Sequence, residues 1–356
     1  MLRSFGEPLS IETITVAAPG PNQVRIQIKA CAVCHSDIIF FDGGWGGELP
    51  AVYGHEAAGI VESVGPGVEG LDVGDHVVVS LIRSCGTCHS CSRGQPVNCS
   101  GTFAIDDDAP LHDESGEVVQ HGLGTGTFAE YAVVDASQTV VVPSDIPFAS
   151  ASLLGCGVIT GVGAVFNTAA IEPGSHVAVI GCGGVGINTI QGAALAGAGS
   201  VVAIDVADGK LSAALSFGAT SGVSALAADA VAQVRELTDG RGADYVFVTV
   251  GAKVAIEQSF GFLAPGGAVV LVGMTANGVT VDFDSTALAS MNQRVLGSKM
   301  GSGRLPVDIP KLVALYQQGQ LQLDELVTGR FRLDQIDEAV ASVKRGEALR
   351  NVIEFG

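Results

Sequence analysis

The sequence predicts two domains in series, a β-rich domain first and an α/β domain with a parallel sheet second. Three observations carry that reading. The chain has 356 residues, long for one core and comfortable for two. Its first 150 residues or so run in short β-branched stretches broken by Gly, Pro and Asp. Beyond them, apolar strands alternate with helix-length segments, the pattern of right-handed βαβ units.

The early strands are VRIQIKA (24–30), AGIVESVG (58–65), DHVVVSL (75–81) and AEYAVV (129–134). Residues 100–126 are acidic, lack periodicity and read as a long loop. Small apolar residues at 150–170 read as helix. HVAVIG (176–181), SVVAIDV (200–206), ADYVFVTV (243–250) and AVVLVGM (268–274) read as buried strands, with helices at 187–198 and 210–219 between them. GVTVDF (278–283) alternates as an edge strand does, and an open edge needs cover. Two amphipathic helices follow residue 300, and the tail ALRNVIEF reads as a strand returning to the first domain. The expected domains are therefore 1–157 with 300–356, and 158–299.

Composition narrows the function. Apolar residues make up 47% and charged residues 15%, enough to bury a large core. The net charge of −19 argues against nucleic acid or an anionic membrane as partner. No apolar run reads as a membrane span and the first residues lack a signal-peptide core, so a cytoplasmic location is expected.

Eight cysteines in such a chain point to metal before disulfides. Cys85, Cys88, Cys91 and Cys99, in CGTCHSCSRGQPVNC, can wrap one tetrahedral zinc with four thiolates. Such a site is closed to substrate and is expected to hold a loop. A second set is Cys34 in AVCHSD, His55–Glu56 in YGHEAAG and Cys156 in LLGCGVITG. Two thiolates and an imidazole leave a fourth zinc position open, the catalytic arrangement. Taken singly, each of these residues also fits plain core packing.

Gly181, Gly183 and Gly186 form G-x-G-x-x-G between a strand and a helix, which makes a phosphate-binding turn. The helix N-terminus then faces an anion. Asp205, ending the next strand, suits the ribose hydroxyls of NAD and repels the extra phosphate of NADP. Cys182, inside the turn, reads as a small buried residue.

Together, CHSD, GHEAAG, the 85–99 lobe, GCG at 155–157, GCGGVG and Asp205 resemble the zinc-dependent medium-chain alcohol dehydrogenases over essentially the whole chain. The stretch from Gly155 to Gly186 is most similar to the glutathione- or mycothiol-dependent formaldehyde dehydrogenase branch and its bacterial relatives. The resemblance implies a GroES-like catalytic domain followed by a Rossmann domain, both zinc ions, and NAD. It implies that Cys34, His55 and Cys156 hold catalytic zinc, with Glu56 behind it. Asp37 would orient His55, and Ser36 would take the alcohol proton. Gly181, Gly183, Gly184, Val185, Gly186, Val250, Val272 and Met274 would line the cofactor, and Thr160 would touch its nicotinamide. Asp205 and Lys210 would hold the ribose, and His35 and Arg350 the pyrophosphate. Trp45, Leu81, Leu123 and Met274 would line the substrate pocket, favouring a hydrophobic primary or aromatic alcohol or its aldehyde. A homodimer or homotetramer is implied.

One position departs from the family pattern. Ile39 stands where many members have a proton-relaying His, so the route from Ser36 must end on the cofactor ribose, on water or on another group. Two other readings stay open. One is oxidation of a thiol–formaldehyde adduct, against which stand Asp106, Asp107, Asp108, Asp113 and Glu114 in a loop without Lys or Arg. The other is a non-catalytic member that keeps the fold and binds only cofactor.

Overall fold

The computed structural model describes all 356 residues. They divide into Met1–Gly157 with Arg304–Gly356, and Val158–Gly303. The chain thus re-enters the first unit at Arg304, four residues later than the sequence places it.

The first unit is built on a mixed sheet. Its strand order is Val327–Phe331, Arg350–Glu354, Gln23–Ala32, Glu56–Val64, His76–Ser80, Thr139–Val141, and Tyr131–Asp135 also pairs with Gln23–Ala32. All pairings are antiparallel except that of the first two strands. The returning tail therefore completes the sheet. Val24, Ile26 and Ile28 alternate inward beside Val77, Val79, Ala132 and Val134, making one apolar core. Each Val or Ile among them contributes about 1.5–3 kcal/mol on burial.

The 100–126 stretch holds more structure than a loop. It contains a short helix, Ala104–Asp108, and the strand Leu111–Asp113, which pairs with Ile14–Val16. This acidic stretch has cations nearby that its own sequence does not supply: Arg83 pairs with Asp106 in the helix, and Arg3 with Asp113 in the strand.

In the second unit six strands lie parallel in the order Ser221–Ser224, Ser200–Asp205, His176–Ile180, Ala243–Val248, Leu263–Leu271, Arg294–Gly297. Numbered along the chain this is 3-2-1-4-5-6, the doubly wound order. Its switch point lies between His176–Ile180 and Ala243–Val248, so the turns leaving those two strands flank a crevice. The glycine turn at 181–186 is one of them.

GVTVDF is not a strand. Its polar backbone is claimed by neighbouring side chains: Lys253 Nζ donates to Thr280 O at 2.8 Å, and Asp282 N donates to Glu257 Oε1 at 3.0 Å. Phe283 stacks on Phe260 at 5.7 Å, and Asp284 caps the helix Ser285–Ser290. The edge on that side of the sheet belongs instead to Arg294–Gly297, whose four residues are too few to read from pattern. A second difference concerns Phe148–Ala169, which is long and apolar enough to cross a membrane by length and composition. Nearly all of its most apolar 18-residue stretch is buried inside the protein, as in a core helix.

The glycine turn shows why its residues are small. Gly181 has φ +90°, open to glycine at no steric cost. A Cβ on Gly186 would lie 1.7 Å from the Gly181 carbonyl oxygen, whereas one on Gly183 would meet nothing within 4 Å. The two glycines therefore serve different ends, one packing and one open space. Gly186→Ala should lower stability by about 1–3 kcal/mol through overpacking. Gly183→Ala, at an ordinary φ of −82°, should leave stability unchanged while weakening cofactor binding. Urea denaturation and cofactor titration of both variants check this; equal stability losses would contradict it.

Candidate functional site

Cys34 ends the extended segment after Gln23–Ala32 and caps the helix His35–Phe41. Three residues on, the Asp37 carboxylate turns back and accepts the Cys34 N–H at 3.1 Å. The C-x-x-D spacing is therefore a helix start that closes on itself. Asp37 also accepts from Gly54 N at 3.2 Å and from His55 Nδ1 at 3.0 Å. It is fully buried, so these donors stabilise its charge in place of water.

Cys156 arrives from a different direction. It sits in the π-helical turn Leu154–Val158 with a glycine on each side. A Cβ on Gly155 would meet the Val79 carbonyl oxygen at 2.3 Å, and one on Gly157 would meet Arg350 Nη2 at 1.6 Å. Neither neighbour is free to move: Val79 is in the sheet, and Arg350 is buried and ion-paired. Only G-C-G lets this turn press onto the sheet and deliver the thiol.

The ligand atoms of Cys34, His55 and Cys156 lie within 4.8 Å of one another, all three residues buried. His55 Nδ1 is spent on Asp37, while Nε2 is buried and has no partner. A buried imidazole nitrogen left bare is costly, and two sulfurs beside it are what a zinc ion takes. The Cys34 thiol is held well below its ordinary range, first by a hydrogen bond from Cys156 and further by His55, against its burial. The donor set fits zinc with one coordination position left over.

Glu56 lies directly behind this set, fully buried. Its Oε1 accepts Arg350 Nη1 at 2.8 Å and its Oε2 accepts Gly157 N at 3.0 Å. Burial pushes its carboxyl up to about 7, against the pull of Arg350. Arg350 is thus the partner of Glu56, a role the resemblance does not name. Its Nε and Nη2 are buried without partners. Sequence reasoning missed this pair because its members stand 294 positions apart.

The four-cysteine lobe closes as its spacing predicts. Cys85, Cys88, Cys91 and Cys99 bring their sulfurs within 4.8 Å of one another. Cys88 and Cys99 Sγ are 3.9 Å apart, against about 3.8 Å for two thiolates on a tetrahedral zinc with bonds of about 2.3 Å. Backbone N–H groups of Cys85, Cys88, Cys91 and Gly101 donate to lobe sulfurs at 3.3–3.5 Å. The N–H of Cys91 leads in holding the Cys88 thiol down at about 5. No position in this set is left open for a substrate.

The second unit supplies the cofactor candidates. Gly183 caps the helix Gly184–Leu195, so the first N–H groups of that helix, on Gly184, Val185 and Gly186, have no intrahelical acceptor. Asp205 Oδ2 accepts Cys182 N at 2.7 Å, which fixes the carboxylate beside the turn. Cys182 is fully buried, a packing residue. Val250 presses on Gly181, and Thr249 Oγ1 donates to Gly181 O at 2.7 Å. Val272 is buried and Lys210 half-buried. Thr160 is buried, with its hydroxyl 3.6 Å from Met300 Sδ. These residues fit a dinucleotide: helix N–H donors, open space at Gly183 and a carboxylate nearby.

The remaining candidates are less enclosed. His35 is exposed, and Ser36 and Ile39 are half-buried. Trp45 packs edge-on against Phe40 at 5.2 Å, and Leu81 and Leu123 are half-buried. Met274 is 61% exposed.

The comparisons with known proteins agree with this arrangement. Residues 20–144 match the model of the alcohol dehydrogenase GroES-like domain, and 184–318 that of the zinc-binding dehydrogenase. An NDMA-dependent alcohol dehydrogenase of Amycolatopsis methanolica is 37% identical over 99% of this chain and 97% of its own. "Probable S-(hydroxymethyl)glutathione dehydrogenase 1" of Schizosaccharomyces pombe is 38% identical over 98% of this chain and 94% of its own. The crystal structure of benzyl alcohol dehydrogenase from Acinetobacter calcoaceticus superposes with a TM-score of 0.89 at 34% identity, covering 96% of this chain and 94% of that one. With the ligand sets, the doubly wound sheet and both family models in agreement, the chain belongs to the zinc-dependent medium-chain alcohol dehydrogenases.

Proposed function

We propose that the protein oxidises hydrophobic primary or aromatic alcohols to aldehydes, reversibly, with NAD as hydride acceptor and two zinc ions per chain. The observation that carries this reading is the convergence of Cys34, His55 and Cys156, with His55 Nε2 bare and buried among them. Zinc in that set supplies Lewis acidity, making a bound hydroxyl acidic near neutral pH. Asp37 keeps the His55 ring in the orientation that presents Nε2. Ser36 would accept the hydroxyl proton while passing its own on to the cofactor ribose, water or another group, and NAD held at the glycine turn would supply the hydride acceptor. The Gly181–Gly186 turn binds the cofactor phosphates, and the Asp205 carboxylate favours NAD over NADP by repelling a ribose phosphate. Apolar Leu81, Leu123 and Trp45 support a hydrophobic alcohol. The reading of six of the eight cysteines as zinc ligands supports a reducing, cytoplasmic location.

A second reading keeps the same chemistry on a thiol–formaldehyde adduct. Arg83 supports it, since this cation lies against the acidic 104–108 helix that the sequence alone leaves without one. The resemblance to the S. pombe protein points the same way.

One panel separates these readings. Alkyl alcohols, benzyl alcohol, a polyol and formaldehyde with glutathione or mycothiol are each offered with NAD and with NADP, with and without NDMA. We expect kcat/KM to be highest for benzyl and longer alkyl alcohols with NAD. A flat profile across alkyl, aryl and polyol substrates contradicts the pocket assignment, and turnover restricted to the thiol adduct selects the second reading.

The division between the two cysteine sets makes a separate prediction. Cys34→Ser should leave a folded protein with turnover reduced at least 100-fold, beyond the loss seen when only a group behind a ligand is removed. Cys91→Ser should first lower the thermal midpoint. A stable, inactive Cys91→Ser protein would show the roles to be misassigned.

A further inference from the structure

The peptide that delivers His55 is clamped on both sides, and one of the clamping groups has no assigned role. On one side Gly54 N donates to Asp37 Oδ1 at 3.2 Å. On the other, Gly54 O accepts the Thr125 hydroxyl at 2.7 Å and Thr127 N at 3.1 Å. That carbonyl belongs to the peptide plane entering His55, so whatever fixes its rotation fixes the position of the His55 Cα. Thr125 is fully buried. Its hydroxyl proton has one good acceptor: 2.7 Å is the usual O–H···O length, and the alternative, Gly122 O, lies at 3.3 Å.

Gly54 cannot hold this geometry alone. It sits at φ +94°, and the space beside its Cα is filled by Phe128 N, 2.7 Å from where a Cβ would be. Thr125 itself is fixed by the turn it belongs to, since its N–H donates to Gly122 O at 3.2 Å. The same turn contains Leu123, at φ +57°. The hydroxyl therefore links the Leu123 turn directly to the His55 peptide.

We propose that Thr125 is a positioning residue for His55: its hydroxyl, through the Gly54 carbonyl, sets where His55 Nε2 points. This rests on the reading of Cys34, His55 and Cys156 as a zinc site. Thr127 is the natural control. It is equally buried, but its hydroxyl meets Cys31 Sγ at 3.2 Å and leaves the Gly54 carbonyl to its backbone N–H.

The test compares Thr125→Val, Thr125→Ser and Thr127→Val as full-length protein. Three readouts are used: the visible absorption of the cobalt(II)-substituted protein, zinc affinity by chelator competition, and steady-state kinetics. Thr125→Val should shift the cobalt bands and weaken zinc binding at this site about tenfold, the low end for a group behind a ligand. kcat should fall more than KM rises. Thr125→Ser, which keeps the oxygen, should restore all three to within about twofold of wild type. Thr127→Val should lower the thermal midpoint without moving the cobalt bands. If Thr125→Val does not accumulate folded, Thr125→Ala takes its place. A Thr125→Val protein with wild-type bands and zinc affinity, altered only in thermal midpoint, overturns the proposal. A wild-type cobalt spectrum identical to that of Cys34→Ser overturns the underlying zinc reading instead.

Discussion

The buried carboxylate of Asp37 is the constraint on which the proposed catalytic zinc site depends. It accepts from Cys34 N, Gly54 N and His55 Nδ1. Those donors belong to the start of one ligand's helix, the peptide before a second ligand and that ligand's ring. A carboxylate buried without such donors would be strongly destabilising. With them, its charge binds together segments that are 17 residues or more apart. The third ligand comes by a different device, in which close approach replaces hydrogen bonding. Glycines on both sides of Cys156 let a widened helical turn lie against Val79 and Arg350.

Electrostatics behind the ligands follows the same economy. Glu56 and Arg350 are both buried and pair at 2.8 Å. Removing either partner would strand a charge in the interior, at a cost of about 3–5 kcal/mol. Because Arg350 opens the last strand and Glu56 opens a central one, the pair also fixes the returning tail to the site. Fold and chemistry meet in that contact. The four-cysteine lobe is independent of it, held by its own backbone N–H···S bonds.

Features written in consecutive residues were legible in the sequence. The 85–99 spacing predicts the gathering of four sulfurs that the fold shows, and G-x-G-x-x-G predicts the glycine turn between strand and helix, because each motif contains all its working parts. The long strands were legible too, since burial on one or both faces imposes a pattern. GVTVDF misled because its alternating valines imitate a strand, while Lys253 and Glu257 take its backbone groups from elsewhere in the chain. The same holds for Arg83 against Asp106, Arg350 against Glu56 and Thr125 against Gly54. Each joins residues far apart in sequence, and nothing local marks either member. The apolar run at 148–169 shows the converse, where composition fits a membrane span and only burial in the folded protein identifies a core helix.

The central claim is that one buried carboxylate organises the proposed catalytic ligand set while the cysteine lobe stands apart. Asp37→Asn tests it most directly, because the amide keeps the volume but sets an NH₂ group against N–H donors. Zinc content per chain, measured on the purified folded variant, is the quantity to read. The account predicts that wild type holds two zinc ions and Asp37→Asn only the one in the lobe. A variant that retains both ions at wild-type affinity would contradict it.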